Sequence, residues 1–178
     1  GLEKEFKLNI EQNHAILAKH SFEHEIAYAL SNNILGSIDI NRGDYLVGWD
    51  TDQFPNNVEE LVLPFYYIFK NGGFSTGGLN MDAKIRRQSI DPEDLFYAHI
   101  GSMDTCARTL IAVEKMINDG SYETFLKQRY ESWNENSELM NKLSLEDIHN
   151  KVIKENINPD PKSGRQEYLE NLINSFVE

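Results

Sequence analysis

Between residues 6 and 120, short apolar runs alternate three times with longer stretches of helical periodicity. No other feature of the chain limits its fold as strongly. Residues 6–10 (Phe-Lys-Leu-Asn-Ile) predict a first strand. A helix is expected over 21–33, where Phe22, Ile26, Ala29 and Leu30 recur at helical spacing and Ser21 is placed to cap the first turn. Gly36 closes that segment, and residues 37–40 (Ser-Ile-Asp-Ile) predict a second strand. A polar loop runs from Asn41 to Pro55. Asn56 or Asn57 is then positioned to cap a helix carrying Val58, Leu61, Val62, Phe65, Ile68 and Phe69, with Pro64 inside it and Asn71-Gly72-Gly73 as its stop. Residues 74–80 predict a third strand, in which Gly77-Gly78 is poor strand material and suggests a close backbone approach. A long helix from Pro92 to Asp119 completes the series. Its expected buried side is Leu95, Ala98, His99, Met103, Ala107, Leu110, Ile111 and Met116.

Strand–helix alternation is the pattern of a parallel α/β sheet. A closed (β/α)8 barrel takes roughly 250 residues, and this chain has 178. Three strands therefore predict an open sector with two raw sheet edges. From Ser121 the character changes. Helical stretches at 122–132, 144–155 and 165–177 follow one another with no strand between them, and Ser144 with Asp147 three residues on is a credible helix start. This tail reads as an arm that packs on the rest of a barrel or on a neighbouring subunit.

Composition narrows the partners. The formal net charge is −12 and the pI about 4.8, which repels nucleic acid and anionic membrane surfaces. Apart from Arg86-Arg87 the basic residues are scattered, so no phosphate-tracking stripe is expected. Cys106 is the single cysteine, which excludes an internal disulfide. No apolar run is long enough to span a bilayer, and the first five residues have no signal-peptide character. The expectation is a soluble cytoplasmic protein.

Six residues stand out for chemistry: Glu11, His14, Asp39, Asp50, Asp52 and Asp82. Glu11 and His14 are three apart, directly after the first strand. Asp39 lies near the end of the second strand and Asp82 just past the third. Asp50 and Asp52 alternate across Thr51 in one loop. In a parallel α/β protein the C-terminal ends of neighbouring strands converge on one face, so all six could address one site. Five carboxylates in one pocket repel unless something positive sits between them. Hard divalent cations suit such oxygen-rich sets, and one imidazole is compatible with Mn²⁺ or Co²⁺. Any one of these acids alone is more often a helix cap or a solvated carboxylate; their succession at three strand ends weighs against that reading without excluding it.

Several longer strings carry a family resemblance: Lys7-Leu-Asn-Ile-Glu-Gln-Asn-His-Ala-Ile-Leu-Ala-Lys-His20, Gly36-Ser-Ile-Asp-Ile-Asn-Arg-Gly-Asp44, Gly48-Trp-Asp-Thr-Asp-Gln-Phe-Pro55, Gly72-Gly-Phe-Ser-Thr-Gly-Gly-Leu-Asn-Met-Asp-Ala-Lys-Ile-Arg-Arg87 and Glu93-Asp-Leu-Phe-Tyr-Ala-His-Ile-Gly-Ser-Met-Asp104. In order and spacing they resemble the C-terminal half of the long-form xylose isomerases, across nearly the whole chain. The resemblance implies that residues 1–120 are the C-terminal portion of a (β/α)8 TIM barrel and that 121–178 are the helical tail. It implies two divalent metal ions (Mg, Mn or Co) per complete site. One is bound by Glu11, His14, Asp50 and Asp52. The other is bound by Glu11, Asp39 and Asp82, plus a glutamate from the preceding strand. The implied reaction is aldose–ketose isomerisation of D-xylose, or of D-glucose, by a hydride shift between C2 and C1. His14 and Asp52 are the implied catalytic residues, with the hydroxyl proton handled near Asp52.

The same resemblance places the ring-opening histidine and aspartate, and the lysine near the substrate C1 oxygen, upstream of residue 1. The implied partners are thus the N-terminal half of the barrel, an aldose, and further copies in a tetramer. The alternative is a catalytically inactive truncated chain that serves as a metal-binding or structural protein. Lys19, Ile16 and Met81 depart from the family pattern, which has glycine, a small polar residue and phenylalanine there. Lys19 could pair with a carboxylate or point into solvent, and solvent is favoured. His20, His24, His99 and Lys84 are not expected to replace the upstream residues. Trp49 and Phe54 are expected to shape the loop that holds Asp50 and Asp52.

Overall fold

The computed structural model describes residues 1–135, 141–158 and 160–177. Its elements in chain order are β1 (Leu8–Glu11), α1 (Gln12–Leu17), α2 (Phe22–Ser31), β2 (Leu35–Asp39), α3 (Glu59–Lys70), β3 (Leu79–Asn80) and α4 (Pro92–Asp119), then α5 (Ser121–Glu135), α6 (Leu145–Lys154) and α7 (Gln166–Val177). They group into two compact units, Gly1–Asn118 with the last residues from Phe176, and Asp119–Ser175. The expected tail, 121–178, contains residues 136–140, 159 and 178, which lie outside the described residues.

The strands form one parallel sheet in the order β1-β2-β3. Ile10 pairs with Ile38 and Glu11 with Asp39, and Asp39 pairs in turn with Asn80. Side chains alternate between the two faces of a strand, and the sequence uses that alternation fully. Ile10, Ile38 and Ile40 are buried on one face, in a core that also contains Ile26 and Ala29 of α2 and Leu61, Val62, Phe65 and Ile68 of α3. Burying one such side chain is worth about 1.5–3 kcal/mol, more than an exposed ion pair at about 0–1 kcal/mol, so this apolar layer sets the register. The opposite face then receives Asn9, Glu11, Ser37, Asp39 and Asn80. β3 is shorter than expected, Leu79–Asn80 alone, and Gly77 just before it packs against the neighbouring backbone: a Cβ there would lie 1.8 Å from the Gly36 carbonyl oxygen.

Four helices in the chain end alike. After α1, the N–H of His20 donates to the Ala15 carbonyl (2.9 Å) and that of Lys19 to the Ile16 carbonyl (3.0 Å), a Schellman closure around a residue with φ 66°. The same pair of bonds closes α2 at Asn33, α3 at Gly72 and α6 at Asn156. Glycine and asparagine tolerate this left-handed conformation. Lys19, whose side chain is exposed, adopts it at a steric cost that glycine would not carry. Ser21 occupies the N-cap of α2 but makes no side-chain capping bond. At α3 the capping bond comes from Asn57, whose Oδ1 accepts from the Glu59 N–H at 2.9 Å. Ser144 and Asp147 form the reciprocal capping box at the start of α6.

One expectation is overturned in large part. Of the expected buried side of α4 Met116 is buried, but Leu95, His99, Met103, Ala107, Leu110 and Ile111 are exposed and Ala98 is half-buried; the buried residues are Ser102, Thr105, Thr109, Ala112, Val113 and Met116. The hydroxyls of Ser102, Thr105 and Thr109 each donate to the carbonyl four residues earlier, all at 2.8 Å. With its polarity satisfied inside the helix, that stripe behaves as an apolar surface. Two faces of α4 are therefore able to pack, and periodicity favoured the one that this chain leaves uncovered.

Candidate metal centre

Glu11 is at once the last residue of β1 and the N-cap of α1. There is no loop between strand and helix, so His14 stands on the first helical turn, directly above Glu11. Its Nδ1 lies 3.3 Å from Glu11 Oε2 and its Nε2 3.3 Å from Asp50 Oδ2. On the other side of Glu11, the cross-strand register brings in Asp39, and Asp82 follows β3. Ligand atoms of Glu11, His14 and Asp50 lie within 4.8 Å of one another, and so do those of Glu11, Asp39 and Asp82. Two clusters thus share Glu11.

Amide side chains hold these carboxylates in place. Asn41, fully buried just after β2, donates through Nδ2 to Glu11 Oε1 at 2.7 Å and to the Asp82 carbonyl at 2.8 Å, while its Oδ1 accepts from the Asn13 N–H at 2.9 Å. Asn9 and Asn80 donate to the two oxygens of Asp39 at 2.6 and 3.0 Å, and Ser37 orients Asn9 at 2.6 Å. Asn13 Nδ2 donates to Asp50. Gly43 makes room for Asn13, since a Cβ at residue 43 would lie 1.7 Å from Asn13 Oδ1. This layer is not among the candidate residues of the sequence, although Asn9, Asn13, Asn41 and Asn80 all fall within two residues of a candidate ligand.

Asp52 belongs to neither ligand set, although it adjoins Asp50 and Asn41. Its backbone is left-handed, with φ 41°. Its Oδ2 accepts from Lys84 Nζ at 2.6 Å and its carbonyl from the Lys84 N–H at 2.8 Å, so the loops after β2 and β3 are clamped together. Burial works against ionisation of Asp52, but its hydrogen bonds, led by Asp50 and Lys84, hold its carboxyl below the usual range. Lys84 is raised in turn by its bond to Asp52. Glu11 moves the other way. Burial raises its pKa, the Asn41 bond and His14 oppose this, and the charges of Asp50 and Asp82 raise it further. A carboxyl at the meeting point of two acidic clusters, reluctant to ionise by itself, suits a positively charged occupant.

Of the remaining candidates, His20 pairs with Glu25 at 2.5 Å and lies beside His24, ring centroids 4.9 Å apart. Phe54 meets His99 edge-on at 4.7 Å, and Trp49 is exposed. Among the described residues no helix is long and apolar enough to cross a membrane.

Fold and site together define a parallel α/β protein with an oxygen-rich, cation-compatible centre at the C-terminal ends of its strands. Comparison with known proteins narrows that class. Residues 126–177 match the family model described as the XylA2 C-terminal domain. Over 99% of its length the chain is similar to xylose isomerases: 61% identical to that of Ruegeria sp., 62% to that of Cereibacter sphaeroides and 57% to that of Mesorhizobium japonicum. It spans about two fifths of the length of these curated relatives, 41% in each case. The resemblance read from the motifs is thus shown, for a stretch of the xylose isomerases that includes their C-terminal domain.

Proposed function

We propose that this chain supplies the divalent-cation centre of a metal-dependent aldose–ketose isomerase converting D-xylose to D-xylulose, with D-glucose to D-fructose as the related conversion. The carrying observation is that two ligand sets share Glu11 at the ends of parallel strands, in a chain 61% identical to a xylose isomerase. Glu11, Asp39 and Asp82 would hold one ion, and Glu11, His14 and Asp50 the other, with Mg²⁺, Mn²⁺ or Co²⁺ suited to these donors. Asp52 is the proposed fourth donor of the second set, although its carboxylate is turned to Lys84. Bound there, such ions supply Lewis-acid polarisation of the sugar oxygens.

The chain's own residues do the positioning. Asn41 fixes Glu11, the Asn9–Asn80 pair fixes Asp39, and Asn13 fixes Asp50. Lys84 keeps Asp52 ionised through Oδ2, and Asn41 Nδ2 reaches its Oδ1 at 3.4 Å, which holds a carboxylate beside the place where the sugar hydroxyl proton would be handled. The outer edges of β1 and β3 have no strand neighbour among the described residues, which supports placing residues 1–120 within a (β/α)8 barrel completed by an upstream half, with 121–178 as its helical tail. A cytoplasmic tetramer of complete subunits is the proposed setting.

The test joins this chain to the upstream half of a relative and follows D-xylose isomerisation with each metal, with chelator as control. Metal-dependent turnover that Glu11→Gln abolishes is expected. Turnover that survives Glu11→Gln, or Mn²⁺ binding indifferent to it, would sink the assignment.

A further inference from the structure

A second site lies beside the carboxylate centre and is built from the opposite charge. A cavity of about 480 Å³ opens between the Arg42–Asn56 loop, residues 84–89 and the first half of α4. Its lining includes Arg42, Lys84, Arg86 and Arg108 against a single carboxylate, Asp94, and no member of the two acidic clusters lines it. Four cations around one cavity are unexpected in a chain of net charge −12. With acids in such excess, each guanidinium could have found a carboxylate partner, yet among the described residues none of the three has one.

Each nearby group is otherwise engaged. Asp94 accepts from the Asp91 N–H at 3.1 Å, at the start of α4. Arg42 donates from Nε to the Phe54 carbonyl at 3.1 Å, which anchors the stem of the guanidinium without neutralising it. Arg86 directs both terminal nitrogens at buried Gln53. The Gln53 amide is oriented with its oxygen toward them, at 3.0 and 2.9 Å, because the reverse orientation would face donor against donor. The hydroxyls of Ser102 and Thr105 are committed to their own helix. Arg108 alone is unengaged, with no hydrogen-bond or ionic partner among the described residues. The uncompensated charge therefore faces the cavity, where partial enclosure strengthens it relative to open solvent.

We propose that this cavity is an oxyanion-binding site, taking a small polyvalent anion such as a phosphate ester or a di- or tricarboxylate. Guanidinium forks match such groups in geometry as well as in charge, and the volume falls in the range of small-molecule sites, about 300–1,000 Å³. Bound anion would draw on Arg42 and Arg108 first, since Lys84 is held by Asp52 and Arg86 by Gln53. The site is independent of the proposed isomerase chemistry and touches that centre only through Lys84.

The test titrates the metal-free chain with inorganic phosphate and, in a second arm, with citrate, at fixed ionic strength because surface charge is screened by salt. Binding is read by calorimetry and by the Nε–H resonances of ¹⁵N-labelled arginines. One-site binding with a Kd of about 1 mM or tighter is expected, with the Arg42 and Arg108 signals moving together. Arg108→Gln, at an exposed position that folding does not depend on, should weaken it about tenfold, and Arg42→Gln similarly. Arg87→Gln, outside the cavity, should not. The two arms separate a phosphate-selective from a carboxylate-selective site, and either supports the proposal. Absence of saturation with both anions overturns it, as does binding that Arg108→Gln and Arg42→Gln leave unchanged.

Discussion

Replacing Lys19 by glycine should stabilise the chain. Lys19 holds φ at 66° to complete the cap of α1, and an L-residue in that conformation carries about 1–2 kcal/mol of steric cost. Glycine removes the clash but adds freedom to the unfolded chain, worth about 0.4–1 kcal/mol in the opposite sense. The difference is a gain of about 0.5–1 kcal/mol. With urea slopes of about 1–3 kcal/mol/M, the unfolding midpoint followed by far-ultraviolet circular dichroism should rise by about 0.2–1 M, with the slope unchanged. Lys19→Ala separates backbone from charge, because it keeps the Cβ and removes the ammonium. It should leave the midpoint near wild type, and Lys19→Asn should fall between the two. If alanine gained as much as glycine, the benefit would come from losing the lysine side chain rather than from relieving the backbone, and the backbone argument would be refuted.

Other changes test the remaining contacts. Gly77→Ala should cost about 1–3 kcal/mol, seen as a lower urea midpoint, because a Cβ there meets the Gly36 carbonyl at 1.8 Å. Asn41→Leu, which removes the donor to Glu11 and to the Asp82 carbonyl, should weaken Mn²⁺ binding measured by electron paramagnetic resonance by about 10–100-fold; unchanged affinity would deny Asn41 its positioning role. Mn²⁺ affinity should also rise with pH through the raised pKa of Glu11, since ion and proton compete for one carboxylate. In the metal-free chain the sign reverses. Glu11 binds its proton more tightly folded than unfolded, so its stabilising contribution is full below the ordinary glutamate range and is lost as pH rises through the folded value. Ser144→Ala removes half of the capping box of α6 and should lower amide-exchange protection there by about 1 kcal/mol.

What the sequence revealed follows from how local each feature is. The βα alternation and the stop at Asn71-Gly72-Gly73 are set by neighbouring residues and are readable; the approach of Gly77 to Gly36 is long-range, but the Gly77-Gly78 pair signals it locally. The α1 turn was missed because Gln12–Leu17 is a single short helix whose start coincides with a strand end. The buried side of α4 was misjudged because threonine and serine hydroxyls that bond within the helix look polar in sequence but pack as apolar groups. Grouping Glu11, Asp39 and Asp82 needed only strand ends and parallel register. The Lys84 clamp on Asp52 and the amide layer needed the path of two loops through space, which no periodicity encodes.

Because Glu11 ends β1 and caps α1 in one residue, the separation between Glu11 and His14 is gauged by helical pitch alone. One residue inserted between them would swing His14 by about 100° around the helix, out of reach of both carboxylates. The stretch from Asp44 to Trp49, inside the loop closed by the Arg42–Gln53 bridge, has no such gauge, since its hydrogen bonds are local ones from the Leu46 and Val47 N–H groups to Asp44. A change in length within Asp44–Trp49 is therefore better tolerated than one within residues 8–14, and a designer who wants to vary access to the centre has one segment to edit and one to leave alone.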